Sequence, residues 1–227
     1  MPGSFSSLIL PRIALLFVLG LTLGTGRTEE RQNHGLVFEA WVRETFFDGY
    51  QPSKTTQKWD IPAAVNTGHG RIPVNPKAIK YRSPVDLGDA LRQFDIEEPF
   101  WLVVGFWEPI GQHKHVINIT AIRVQPASWR ALWGDISRGD LERLDAVIKN
   151  RDLSPQEARQ QVHALNALPP FSSAVIRLHP KIDTLGQRRL QCSLSFANIF
   201  RVLAPGADSG PQESPSLWGV AFPGFLE

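Results

Sequence analysis

The sequence predicts an α/β fold, a mixed central β-sheet flanked by helices. Three observations predict it. An amphipathic helical stretch leads into short extended segments. A continuous apolar run of strand length, Pro99–Trp107 (PFWLVVGFW), is followed by an alternating one, Val116–Val124 (VINITAIRV). Helical patterns then dominate the next fifty residues. At 227 residues the chain supports one well-cored domain, placed at 31–227.

Residues 1–30 are set apart. Ile13–Leu23 (IALLFVLGLTL) is an uncharged apolar run after Arg12, with Gly24 and Gly26 behind it, the pattern of a secretory signal peptide. It is too short for an ordinary membrane span. Met1 is the only methionine, so a wrongly assigned gene start explains the same segment equally directly. A real signal implies an exported or periplasmic protein; a false start implies a cytoplasmic one.

His34–Phe47 (HGLVFEAWVRETFF) places Val37, Phe38, Trp41, Val42 and Phe46 on one helical arc, with Glu39 at its edge. Gln57–Ile61 (QKWDI) is strand-like, with Trp59 and Ile61 on one side and Asp60 on the other. In Ile72–Arg82 (IPVNPKAIKYR), Pro73 and Pro76 confine regular pairing to Lys77–Arg82, with Ile79 in the core and Lys80 on the opposite face. Val85–Phe94 reads as a helix. Pro99–Trp107 is a central strand covered on both faces, and Val116–Val124, after a turn over Glu108–His115, is its antiparallel partner. Asp140–Lys149, capped by Asp140, and Ser154–Leu165, opened by a capping box from Ser154 to Glu157, are helices. Ala174–Leu178 is a short strand, Gln187–Phe200 a final helix and Asp208–Ser216 a loop.

Composition is ordinary: 42% hydrophobic, 20% charged, net charge +2. Any phosphate binding must therefore come from local clusters of Arg and Lys. The single cysteine, Cys192, excludes an internal disulfide and a thiol-based zinc site, and reads as a packed thiol. No nucleophile elbow, P-loop or dinucleotide fingerprint occurs. Trp129 and Trp133 recur at helical spacing, as core residues do. His113 and His115 alternate on one strand face, which a hairpin explains without a metal.

Phosphodiester cleavage needs carboxylates to hold a metal ion and a cation near the scissile phosphate. Asp60 at a strand end, Lys80 on the next strand and Glu39 on the preceding helix are candidates, with a hairpin bringing Asp60 and Lys80 together. The segments FEAW (38–41), WDI (59–61), AIK (78–80) and DALRQF (89–94) resemble the PD-(D/E)xK superfamily of restriction-endonuclease-like nucleases. The combination of WDI, IPVNPKAIKY and QRRLQCS is also similar to that of bacterial nuclease-like members. The resemblance implies a restriction-endonuclease-like core and magnesium-dependent hydrolysis of DNA, with manganese as a substitute and RNA as the other nucleic acid in play. It implies no small-molecule cofactor and leaves room for a homodimer. Asp60, Glu39 and the Ile79 carbonyl would hold the metal, and Lys80 would orient the attacking water. Arg92 and Gln93 match a position that touches DNA or the lysine.

The pattern departs at Ala78, where the superfamily places an acid two residues before the lysine; Glu39 would supply the missing ligand, or the site binds without cutting. Lys77, with Asn75 two residues earlier, is the rival lysine, but alternation puts it on the face of Ile79. A second cluster holds five Lys or Arg between Arg177 and Arg201 against one acid, Asp183. Gln187, Arg188, Arg189 and Gln191, at the start of the expected final helix, are its candidate phosphate contacts. Two other functions compete with a nuclease: a silent nucleic-acid-binding module on the same fold, and an exported protein unrelated to nucleic acid.

Overall fold

A computed structural model describes residues 37–52, 58–182 and 186–226. The expected export signal, the first turn of the expected 34–47 helix, Gln57 and Asp183 lie outside the described residues.

The protein is a mixed α/β structure built on a four-stranded mixed sheet. Helix α1 (37–46) precedes it. The sheet contains β1 (Val74–Lys80), β3 (Phe100–Ile110), β4 (His113–Val124) and β9 (Phe225–Leu226), in the order β1-β3-β4-β9. β1 runs parallel to β3, while β3–β4 and β4–β9 are antiparallel. A second sheet, ordered β2-β6-β5, is antiparallel throughout; it comprises β2 (Val85–Asp89), β5 (Arg177–Ile182) and β6 (Arg188–Leu194). A two-stranded ribbon, β7 (Ser216–Leu217) with β8 (Val220–Ala221), lies near the C-terminus.

β3 is central and covered on both faces, as its unbroken apolar run requires. Leu102, Val104 and Phe106 enter the larger core with Ile122 and Val124 of β4 and Trp129 and Trp133. Val103 enters a smaller core with Val74, Val116, Phe38 and Val42, so α1 covers the opposite face. The arc expected of α1 is present: Phe38 and Val42 are fully buried, and Val37, Trp41 and Phe46 pack around them. α1 lies so close to the sheet that a Cβ on Gly105 would sit 2.6 Å from Phe38 Cε2.

A short helix, α3 (Pro126–Ala131), follows β4; α4 (Arg138–Lys149) and α5 (Pro155–Asn166) then pack against β6 and β5. Both begin with capping boxes. That of α5 is the expected one, Ser154 with Glu157; in α4 the N-cap is Ser137, and Asp140 is its reciprocal partner three residues later. Among the described residues no helix is long and apolar enough to cross a membrane.

Five expectations change. Regular pairing in β1 is not confined to Lys77–Arg82: it runs from Val74 to Lys80, and Pro76 is tolerated because β1 is an edge strand. Val85–Phe94 is not one helix: Val85 and Leu87 alternate inward in β2, Gly88 turns the chain at φ +87°, and Asp89 caps the short α2 (Ala90–Phe94) by accepting from the Arg92 N–H. Gln187–Phe200 is mainly β6, because Leu190, Cys192 and Leu194 bury at every second residue; only α6 (Phe196–Asn198) and a π turn to Leu203 are helical. The strand expected at Ala174–Leu178 starts later, as β5, and tolerates Pro180 because it is an edge strand. The Glu108–His115 turn shrinks to Gly111 and Gln112, with Gly111 at φ +62° and both strands running up to it.

Candidate functional site

The site forms at the outer edge of β1. Asp60 is not on a regular strand; the chain before β1 touches it through one antiparallel bridge, Ile61 to Val74. Ile61 enters the smaller core and Trp59 the larger one, so the two do not share a face as expected. Extending that bridge by one residue puts Asp60 level with Asn75. From there Lys77 reaches back, and its Nζ donates to Asp60 Oδ2 at 3.0 Å. Both side chains are partly buried, at 21% and 32% exposure, so solvent screens this pair less than a surface one.

Lys80, the expected partner of Asp60, is exposed at the far end of β1, level with Trp107. At about 3.3 Å per residue it stands roughly 10 Å beyond Lys77. The expected alternation itself is right. Lys77 and Ile79 lie on the side of β3 residues Val104 and Phe106, and Lys80 and Ala78 on the other. Lys77 nevertheless reaches Asp60 from that face, so its face does not keep it from the site.

Glu39 comes to the same place from α1. Burial pushes its carboxyl above the ordinary glutamate value; Lys77 pulls it down, the Asp60 charge pushes it up, and Arg43 pulls it down. The Arg43 guanidinium is 3.9 Å from Glu39 Oε2, itself buried, with no hydrogen-bond partner for its Nε. Glu39, Lys77, Ala78 and Ile79 form one wall of a cleft of about 290 Å³, and Asp86 and Gly88 of β2 form the other. Asn75 is only 5% exposed, two residues before Lys77 and on its face of the strand.

Two carboxylates, a buried amide and a lysine at one sheet edge are a hard, oxygen-rich donor set. Magnesium and manganese accept such ligands. Among the described residues no three His, Cys, Asp or Glu side chains converge as a group that could hold a metal. An ion here would therefore draw on Glu39 and Asp60, with the Asn75 amide oxygen, backbone carbonyls or water completing the shell. The fit rests on Glu39: a buried acid beside a second acid gains most from a divalent cation.

The other expected residues divide. Gln93 is buried with its Oε1 unpartnered and its carbonyl bonded to Trp129 Nε1, on the core side of α2; Arg92 is half-buried on the same helix. Neither lines the cleft. Arg188 is taken up structurally. Its guanidinium donates to the carbonyls of Ile148 (3.3 Å), Asn150 and Leu153 (2.8 Å), closing the C-terminal end of α4. Gln187 is exposed just before β6. Arg189 and Gln191 share the polar face of β6, opposite Leu190 and Cys192, but Gln191 is buried at 7% exposure and so is not open to a phosphate as expected. Cys192 is fully buried, and burial pushes its thiol well above the usual range, as suits a packed thiol.

Sequence reasoning missed Asp86, because β2 was taken for helix; the signal was its place between the alternating Val85 and Leu87. No family model matches the chain, and no curated protein or solved structure does either.

Proposed function

We propose that the cleft carries metal-dependent hydrolysis of phosphodiester bonds in DNA, by a site of the PD-(D/E)xK kind on a restriction-endonuclease-like core, with Lys77 in the place of the motif lysine. The observation that carries this reading is the 3.0 Å contact of Lys77 with Asp60 beside the buried Glu39. The pattern then reads Asp60, Asn75, Lys77, with Glu39 added from the helix. Asn75 replaces Ala78 at the variant acid position, and unlike alanine it keeps an oxygen that a hard cation accepts.

A bound divalent cation would polarise the phosphate and lower the pKa of water. The chain's own groups have separate tasks. Asp60 and Glu39 supply negative charge where the cation sits. Lys77 Nζ exchanges its bond to Asp60 for one to the attacking water or a non-bridging phosphate oxygen, fixing direction and offsetting developing charge. The burial of Glu39 keeps bulk water from screening these charges.

The full chain, incubated with supercoiled plasmid and magnesium or manganese, is expected to nick it. Asp60→Ala, Lys77→Ala and Glu39→Gln should each lower the rate by a hundredfold or more, whereas Lys80→Ala should stay within about threefold of wild type. A Lys77→Ala protein as active as wild type would refute the assignment. A second reading, a nucleic-acid-binding module that does not cut, is favoured by one observation: the acid position holds an amide. Metal-independent DNA binding with no cleavage under any divalent ion would establish it.

A further inference from the structure

The three-stranded sheet turns Leu190, Cys192 and Leu194 into the larger core. Its other face is polar, and the strand register places its side chains in rows. Asp86, Ser193 and Arg177 form one row; Asp89, Gln191 and His179 form the next. The last row, at the β5–β6 end, is Arg189 opposite Lys181. Two cations directly across an antiparallel pair repel each other. Among the described residues neither has an ion-pair partner, and Arg189 Nε is buried without any hydrogen bond. Lys181 is exposed.

A sheet has no structural need for such a pair, and an anion seated between the two would relieve both the repulsion and the unsatisfied donor. We propose that this outer face of β2-β6-β5, with Lys181 and Arg189 as its phosphate clamp, docks the backbone of duplex DNA beside the cleft. The choice of DNA rests on the reading of the cleft given above; the clamp itself does not. Asp86 belongs to both the cleft wall and this face, which makes the two surfaces continuous. The clamp row lies four residues along the strands from the Asp86 row, about 13 Å at the rise of a strand. That is roughly four base steps along one DNA strand. The face presents no Phe, Tyr or Trp among these rows, so it lacks the stacking platform that single-strand binding uses.

The test is fluorescence anisotropy of a labelled 16-base-pair duplex with the full chain in EDTA, where nothing is cut, over a range of salt. Lys181→Gln with Arg189→Gln is expected to weaken binding at low salt at least tenfold. It should also flatten the slope of log affinity against log salt by about 2, since each phosphate contact contributes roughly 0.9. Arg143→Gln, on exposed α4, should change neither quantity. Lys181→Gln alone, at an exposed position that does not threaten folding, should remove about half of the slope change. The proposal is overturned if the double variant keeps wild-type affinity and slope, if Arg143→Gln loses as much, if single strands bind better than duplex, or if wild type fails to bind duplex at low salt. Binding that depends on Lys181 and Arg189 in a chain that never cuts would retire the cleavage reading and leave the docking face standing.

Discussion

Replacing Gly105 by alanine tests the link between core packing and the cleft. The added Cβ would meet Phe38 at 2.6, 2.8 and 2.9 Å. Carbon atoms rest at about 3.5–4.0 Å, so the overlap is roughly 1 Å along one ring edge. Gly105 is on the central strand, with β1 and β4 bonded on either side, and cannot retreat. Phe38 is fully buried against Trp41 and Phe222, with ring centroids 5.8 Å from each, and has little space to turn into. Overpacking of this size costs about 1–3 kcal/mol. For a chain of this length that lowers the melting temperature by roughly 2–12 °C. The alternative to unfolding is a shift of α1 away from the sheet, which carries Glu39, the next residue, away from Lys77. Thermal melting followed by circular dichroism measures the first effect, and plasmid nicking the second. Phe38→Leu in the Gly105→Ala background should recover part of the loss, a coupling of roughly 0.5–3 kcal/mol. An unchanged melting temperature for Gly105→Ala, or strict additivity in the double variant, would refute the close approach of α1 to β3.

Two further predictions concern the charges of the site. Asn75→Asp adds a carboxylate two residues before Lys77; it should tighten magnesium or manganese binding by calorimetry at least several-fold, and an unchanged affinity would remove Asn75 from the metal's reach. Glu39→Gln should change how stability depends on pH. Because burial holds the folded-state carboxyl above its ordinary 4.5, the stability tied to the protonated form is complete below about 4.5 and is lost as pH rises through the raised value. The Gln variant escapes that loss, so urea unfolding should find it more stable than wild type near pH 7 and equal to it near pH 4; parallel curves would show that Glu39 is not buried as an acid.

Much of the fold was legible where one period stood alone. β3 and β4 were plain because an unbroken apolar run and a strict alternation fit no helix of that length, and α5 because its capping box fixes a start. β2 and β6 were misread because two periods coincide in them. Leu87, Leu91 and Phe94 are spaced as on a helix, and so are Leu190 and Leu194, while Val85 with Leu87, and Leu190 with Cys192 and Leu194, also alternate. Local pattern does not separate these cases. Pairing does: β6 has a strand on each side, which stabilises the extended form over the helical one.

The lysine shows a different limit. Alternation assigns a side chain to a face, and on that ground Lys80 was separated from Ile79 and Lys77 set aside. β1, however, is an edge strand, and its outer edge opens onto the cleft, so residues of both faces reach it: Lys77 and Ile79 from one, Ala78 from the other. Face therefore decides little there. Distance along the strand decides more. The bridge from Ile61 to Val74 sets Asp60 level with Asn75, and Lys77 lies two residues beyond that point while Lys80 lies five beyond, about 7 Å against about 17 Å. Only the first is within a lysine's length of Asp60. The same bridge bears on the rest of the proposed site: it sets Asn75 level with Asp60, alternation puts Asn75 on the face of Lys77, and under the proposed reading an amide then stands at the variant acid position with Glu39 beside it in the donor set.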